Sequence, residues 1–222
     1  MRKDFFRTAG PGLLFIGLCL FAACSRTSPK LSFGTLRLVY HNSGEDGAAE
    51  ERFSFFVLPE DDDGLEDIAD LYLYHDREGL VWHITSEEWL SLNIDGNTWI
   101  GSRQISMTDG EGLPRGQFRA VLVDKGGERS ERIFAFDAPE DSRYPFPFFL
   151  VEQGRYRLDS EYPAHYLVCY DGEGNYVMTQ PLENPEGFIT ELNLPSGISG
   201  IALWADDDEY LTSALTDIVS LR

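Results

Sequence analysis

Apolar residues recur at every second position along most of this chain. Leu36, Leu38 and Tyr40 alternate with Arg37, Val39 and His41, and Phe53, Phe55 and Val57 follow. Leu71 and Leu73 alternate with Tyr72 and Tyr74, while Leu80, Trp82 and Ile84 share one parity. Phe118, Ala120 and Leu122 alternate with Arg119, Val121 and Val123. A period of two turns one set of side chains toward a core and the other toward solvent, so these runs predict strands. Between them stand Asp63-Gly64, Asp95-Gly96-Asn97, Asp109-Gly110-Glu111-Gly112 and Lys125-Gly126-Gly127. Glycine supplies positive φ and Asp or Asn tolerates it, so these predict tight turns. Short strands with frequent turns predict a sandwich or barrel. Thr85-Ser86-Glu87-Glu88 has the form of a capping box and predicts a single helical turn.

The alternation stops at Ala138-Pro139-Glu140-Asp141-Ser142-Arg143-Tyr144-Pro145, where proline and charge make poor strand interior. The chain divides there, and the two parts show a faint likeness. Tyr72–Gly79 compares with Val168–Gly174, and Leu113-Pro114-Arg115-Gly116 with Leu194-Pro195-Ser196-Gly197. Val121-Leu122-Val123-Asp124 compares in turn with Leu203-Trp204-Ala205-Asp206. The marks keep their order, which predicts a diverged duplication.

Residues 1–24 follow another pattern. Arg2, Lys3 and Arg7 make a basic start beside Asp4, and an apolar run from Leu13 to Ala23 follows. A bilayer span needs about 20 apolar residues, so this run is too short and fits a secretory signal. It ends in Phe21-Ala22-Ala23-Cys24, with small residues before a cysteine. This resembles the lipobox of bacterial lipoproteins. Phe21 stands where the common form has leucine, a looser version that is similar to the lipoproteins of spirochaetes. The resemblance implies that residues 1–23 are removed and that Cys24 is acylated, anchoring the chain to a membrane. Buried acyl carbons contribute about 0.8 kcal/mol per methylene, and two chains suffice for a stable anchor. Ser25, in place of the aspartate that retains some lipoproteins at the inner membrane, points to the outer membrane, with periplasmic or surface exposure open.

Gly116-Gln117-Phe118-Arg119-Ala120-Val121-Leu122-Val123-Asp124 leads through Lys125-Gly126-Gly127 into Glu128-Arg129-Ser130-Glu131. This stretch resembles the last hairpin of fibronectin type III and immunoglobulin-like bacterial modules. It implies two tandem antiparallel β-sandwiches. The expected plan is a signal at 1–23, a tether at 24–31, a first sandwich at 32–138, a linker at 139–147 and a smaller second sandwich at 148–222. Tyr144-Pro145-Phe146-Pro147-Phe148-Phe149 is placed to pack between them.

The net charge is −20, and loss of the signal, with three basic residues and one acidic, makes it −22. Such a balance opposes binding to nucleic acid and to anionic lipid, and it leaves basic or metal-ion partners open. Cys19 leaves with the signal and Cys24 carries lipid, so Cys169 is a lone thiol in a predicted strand and is expected to be buried and inert.

Few residues suggest chemistry. His41, His75, His83 and His165 are scattered, although His75 and His83 flank one predicted hairpin and could approach each other. Ser199 lacks the setting of a hydrolase nucleophile and is read as part of a turn. With 38 acids, pairs of carboxylates arise by chance and do not identify a glycosidase. The acidic runs Glu60–Asp63 and Asp206–Glu209 offer Asp61, Asp63, Asp206 and Asp208 as calcium candidates, and Asp171–Asn175 has alternating oxygens. Neither run matches the EF-hand spacing, and Asp171–Asn175 stops short of a full set of ligands. Trp82, Trp89, Trp99 and Trp204 either fill cores or form a sugar platform, and Tyr72 and Tyr74 are the candidates for an exposed aromatic surface. These readings make the chain a lipid-anchored, non-catalytic binding or structural module with a protein or envelope partner. A carbohydrate or small-ligand-binding lipoprotein is the alternative, and an envelope hydrolase a third.

Overall fold

A computed structural model describes residues 27–42, 49–108, 111–140 and 142–221. The signal segment and Cys24 lie outside the described residues. The chain is all-β. Its first half forms β1 (Lys30–Asn42), β2 (Ala49–Glu60), β3 (Ile68–His75), β4 (Leu80–Thr85), β5 (Leu90–Ile94), β6 (Asn97–Ile105), β7 (Gly116–Asp124) and β8 (Arg129–Phe136). Its second half forms β9 (Phe148–Glu152), β10 (Arg155–Asp159), β11 (Ala164–Tyr170), β12 (Tyr176–Pro181), β13 (Glu186–Phe188), β14 (Gly200–Asp207), β15 (Thr212–Leu215) and β16 (Val219–Ser220). The described helices are two single 3-10 turns, Leu65–Asp67 and Ile189–Glu191. Among the described residues no helix is long and apolar enough to cross a membrane.

The strands form three sheets, one in the order β12-β11-β14-β15-β1-β2-β6-β5, one β4-β3-β7-β8 and one β13-β10-β9. In the first half, β1, β2 and β6 face β3, β4, β7 and β8 across an apolar core. Period two decides its contents. Phe53, Phe55, Leu71, Leu73, Phe118, Ala120 and Leu122 are fully buried, as their parity predicts. Phe53 meets Phe118 and Phe136 edge to face, with centroids 5.3 and 4.9 Å apart. A second core gathers Tyr156, Leu158, Leu167, Cys169, Ile201 and Leu203.

The turns follow the local chemistry. Asp95 and Gly96 have φ of 52° and 79° and link β5 to β6 as a two-residue hairpin turn. Gly101, opposite Phe56, is required by close approach, because a Cβ there would overlap the Phe55 carbonyl beside a bulge in β2. The capping-box segment forms one turn, in which the Glu88 and Trp89 N–H groups donate to the Thr85 carbonyl at 3.0 and 3.1 Å. β4 runs through Thr85, and Glu88 folds back so that the Thr85 hydroxyl donates to Glu88 Oε2 at 2.8 Å. Thr85 itself pairs with Asp70 as the last residue of β4, so the turn starts where the strand ends.

The same strand order recurs in both halves, β4-β3-β7-β8 in one and β12-β11-β14-β15 in the other. The similar sequence marks fall on equivalent strands, β3 with β11 and β7 with β14. The halves also meet edge to edge. β1 pairs with β15 in parallel, Leu38 opposite Thr212 and Tyr40 opposite Ala214, so one sheet runs through both. The first core reaches into the second half through Tyr162, Ala205 and Ala214. Tyr144 and Phe146 pack on the first core and Phe149 on the second.

Candidate functional site

The outer face of the four-stranded sheet carries the sequence's aromatic candidates. Tyr72 and Tyr74 point away from the buried Leu71 and Leu73. Register aligns Val81, Tyr74, Arg119 and Ile133 in one row, and His83, Tyr72, Val121 and Glu131 in the next. The rings of Tyr72 and His83 stack at 4.3 Å and 7°. Tyr74 lies 5.9 Å from Tyr72, and the Arg119 guanidinium covers its ring at 4.4 Å. Arg119 is held in place by a bidentate pair with Asp76, at 2.9 and 2.7 Å. His83 Nε2 donates to Asp70 Oδ1 at 2.6 Å. Two exposed aliphatics flank the ladder, Val81 at 53 % and Ile133 at 62 %. β4 is the edge of this sheet.

A shallow cleft of about 380 Å³ adjoins that face and is lined by His75, Asp76, Arg115, Arg119 and Ile133. His75 is buried and donates from Nε2 to the Arg115 carbonyl at 3.0 Å. It does not meet His83, contrary to the hairpin expectation. In the β3–β4 register His75 is opposite Leu80 and His83 opposite Tyr72, so the two rings lie on opposite faces. Cys169 is fully buried, and burial pushes its thiol up from the ordinary value.

The acidic positions separate into two kinds. Asp208 lies exposed in the turn after β14, as expected, but Asp206 is not in a loop. β14 runs through Asp207, and Asp206 and Asp207 are buried. Arg37 donates to Asp206 Oδ1 at 2.6 Å and pairs with Asp208. Ser213 and the Trp204 indole also donate to Asp206 Oδ1, and Tyr144 donates to Asp207 Oδ2 at 2.7 Å. A guanidinium thus takes the place that the sequence reading gave to calcium. Asp171 closes its own turn by accepting from the Asn175 and Glu173 backbone N–H groups, and these bonds hold its carboxyl below the usual range. Asp63 accepts from the Thr27 N–H at 3.3 Å.

Asp61 is of the other kind. One carboxylate oxygen each of Asp61, Asp67 and Asp124 lie within 4.8 Å of one another. Asp61 stands after β2, Asp67 ends the first 3-10 turn and Asp124 ends β7. The Oδ1 atoms of Asp61 and Asp124 accept from the Asp63 and Glu128 N–H groups, both at 2.9 Å. Oδ2 of all three is buried and accepts no hydrogen bond. Asp67 and Asp124 were missed in the sequence, although a signal was present. Asp124 continues the inward parity of Phe118, Ala120 and Leu122, which places a carboxylate on the core face.

One titration follows from burial. Enclosure of the His41 ring, aided by the nearby Arg52 guanidinium, lowers its pKa from 6.5 to about 4. Burial moves His165 in the same direction. The unfolded chain therefore takes up protons first as the pH falls below 6.5, and stability decreases from there toward pH 4. Urea denaturation at pH 7 and pH 5 is expected to show this loss, and His41→Gln to reduce it. An identical pH slope in that variant would contradict the assignment.

No known protein family matches the chain, and no curated protein matches it. Among solved structures it is similar to dimeric latent PorU from Porphyromonas gingivalis, at 12 % identity and a TM-score of 0.33, over 88 % of this chain and 20 % of that one. It is also similar to the BSP domain of a biofilm-associated protein, at 14 % identity and a TM-score of 0.24, over 75 % of this chain and 26 % of the other.

Proposed function

We propose that this protein is a lipid-anchored envelope lipoprotein, held by Cys24, that acts by binding another envelope protein rather than by catalysis. Each half is read as an immunoglobulin-like sandwich, and the recurring strand order supports that reading. The observation that carries the binding role is the outer face of the four-stranded sheet, where Val81 and Ile133 flank the Tyr72–Tyr74–His83 ladder. Half-buried tyrosines beside exposed aliphatics and a fixed arginine are the composition of a protein contact. A sugar platform needs open ring faces. Here Tyr72 and His83 occupy one another's and Arg119 covers Tyr74, which favours the protein partner over the carbohydrate alternative.

The test uses the full-length protein produced in its native envelope. A photo-crosslinker at Ile133 is expected to capture a partner that one at Val177, exposed on the second half, does not. Val81→Glu is expected to weaken capture about tenfold, since a charge on a buried apolar contact costs roughly 1.4 kcal/mol or more. Equal capture from both positions, or no effect of Val81→Glu, would remove the proposed surface. Intact mass of the same sample reports on residue 24, and an unmodified Cys24 would remove the anchor.

A further inference from the structure

We infer that Asp61, Asp67 and Asp124 form a calcium site at the end of the first sandwich, independently of the binding face proposed above. Asp124 is only 2 % exposed, and its Oδ2 is enclosed without a donor. Asp61 and Asp67, themselves half-buried, each bury an equally unpartnered Oδ2. No ion pair among the described residues involves any of the three. Three carboxylates gathered in this way repel one another and have lost their water, which is unfavourable unless a cation joins them.

The donors name the cation. All are hard oxygens, with no imidazole or thiolate, which selects calcium or magnesium over transition metals. Calcium holds its oxygens at 2.3–2.6 Å, so its ligands stand up to about 5 Å apart, and it accepts the irregular angles of loops. Oxygens within 4.8 Å of one another, supplied by a strand exit, a 3-10 turn and a strand end, suit that sphere. Water completes it.

The site also bears on the tether. Asp63, two residues from Asp61, accepts the Thr27 N–H, and Glu128, whose N–H is held by Asp124, accepts from the Ser28 hydroxyl. A bound ion stiffens the two loops against which the chain rests just after Cys24.

The experiment is calcium titration of the full-length protein in detergent after EDTA treatment, read by calorimetry and thermal melting. One ion per chain is expected. With a Kd on the order of 0.1 mM, as in extracellular modules, ~5 mM calcium raises the melting temperature by about 5 °C or more. Asp124→Asn abolishes that rise, and Asp67→Asn does so if the first variant fails to fold. Asp62→Asn, exposed in the same loop, keeps it. Unchanged melting of the native protein in calcium and EDTA would overturn the site. So would an undiminished calcium response in Asp67→Asn. An equal response to magnesium would overturn the choice of ion.

Discussion

Replacing Arg115 with alanine is expected to destabilise the protein by about 3–5 kcal/mol, because it leaves a buried carboxylate without its counter-charge. The side chains of Arg115 and Glu51 are only 13 % and 10 % exposed. Arg115 grips both Glu51 oxygens, Nη2 to Oε1 at 2.8 Å and Nη1 to Oε2 at 3.1 Å. Its other N–H groups reach the carbonyls of Leu113, Ala138 and Pro139, and its guanidinium lies over the Phe136 ring. Glu51 also accepts from the Leu113 N–H at 2.7 Å. One planar fork thus fastens the approach to β7 and the segment after β8 onto β2. Arg115→Lys is expected to recover little, since an ammonium cannot span these acceptors. Urea denaturation measures the loss. A change below about 1 kcal/mol would show that water enters and solvates Glu51, contrary to its burial.

Arg37→Ala is expected to cost about 3 kcal/mol and to separate the melting of the two halves. Arg37 sits on β1, while all its partners lie in the second half. Asp206, 8 % exposed, would keep only its bonds from Ser213 and Trp204. The exposed pairing with Asp208 adds little, because solvent screens it. The buried contact lies beside the parallel β1–β15 ladder, which is short, with four paired residues on each strand. Weakening that seam lets the second half open first, so calorimetry is expected to resolve two transitions where the native protein shows one. Pairing Arg37→Met with Asp206→Asn removes both charges and is expected to recover part of the loss. A single transition in Arg37→Ala at the native temperature would mean that the β1–β15 ladder and the apolar contacts of Tyr162, Ala205 and Ala214 join the halves without Arg37.

Much of the fold was legible because a strand writes its burial into every second residue. Leu71 and Leu73 against Tyr72 and Tyr74 need no tertiary information to separate inside from outside. Asp95-Gly96 announces its turn because few residues accept positive φ at both positions. The acidic residues were less legible, since a carboxylate in a sequence carries no mark of its partner. Asp206 and Asp208 read as loop ligands because Arg37, about 170 positions away, is invisible from them. Asp61 was noticed for its acidic neighbours, yet its companions Asp67 and Asp124 come from other elements.

By itself, the sequence determined the all-β class, the inward and outward faces, the tight turns and the expectation of an acylated Cys24. These rest on local geometry, two residues per pleat and a few residues per turn. The tertiary structure decided that one sheet runs through both halves, that Arg37 neutralises the acidic end of β14, and that Asp124 joins Asp61 and Asp67. Those features are contacts between segments tens to more than a hundred residues apart. Their energy depends on which strand edges meet, and no local pattern encodes that.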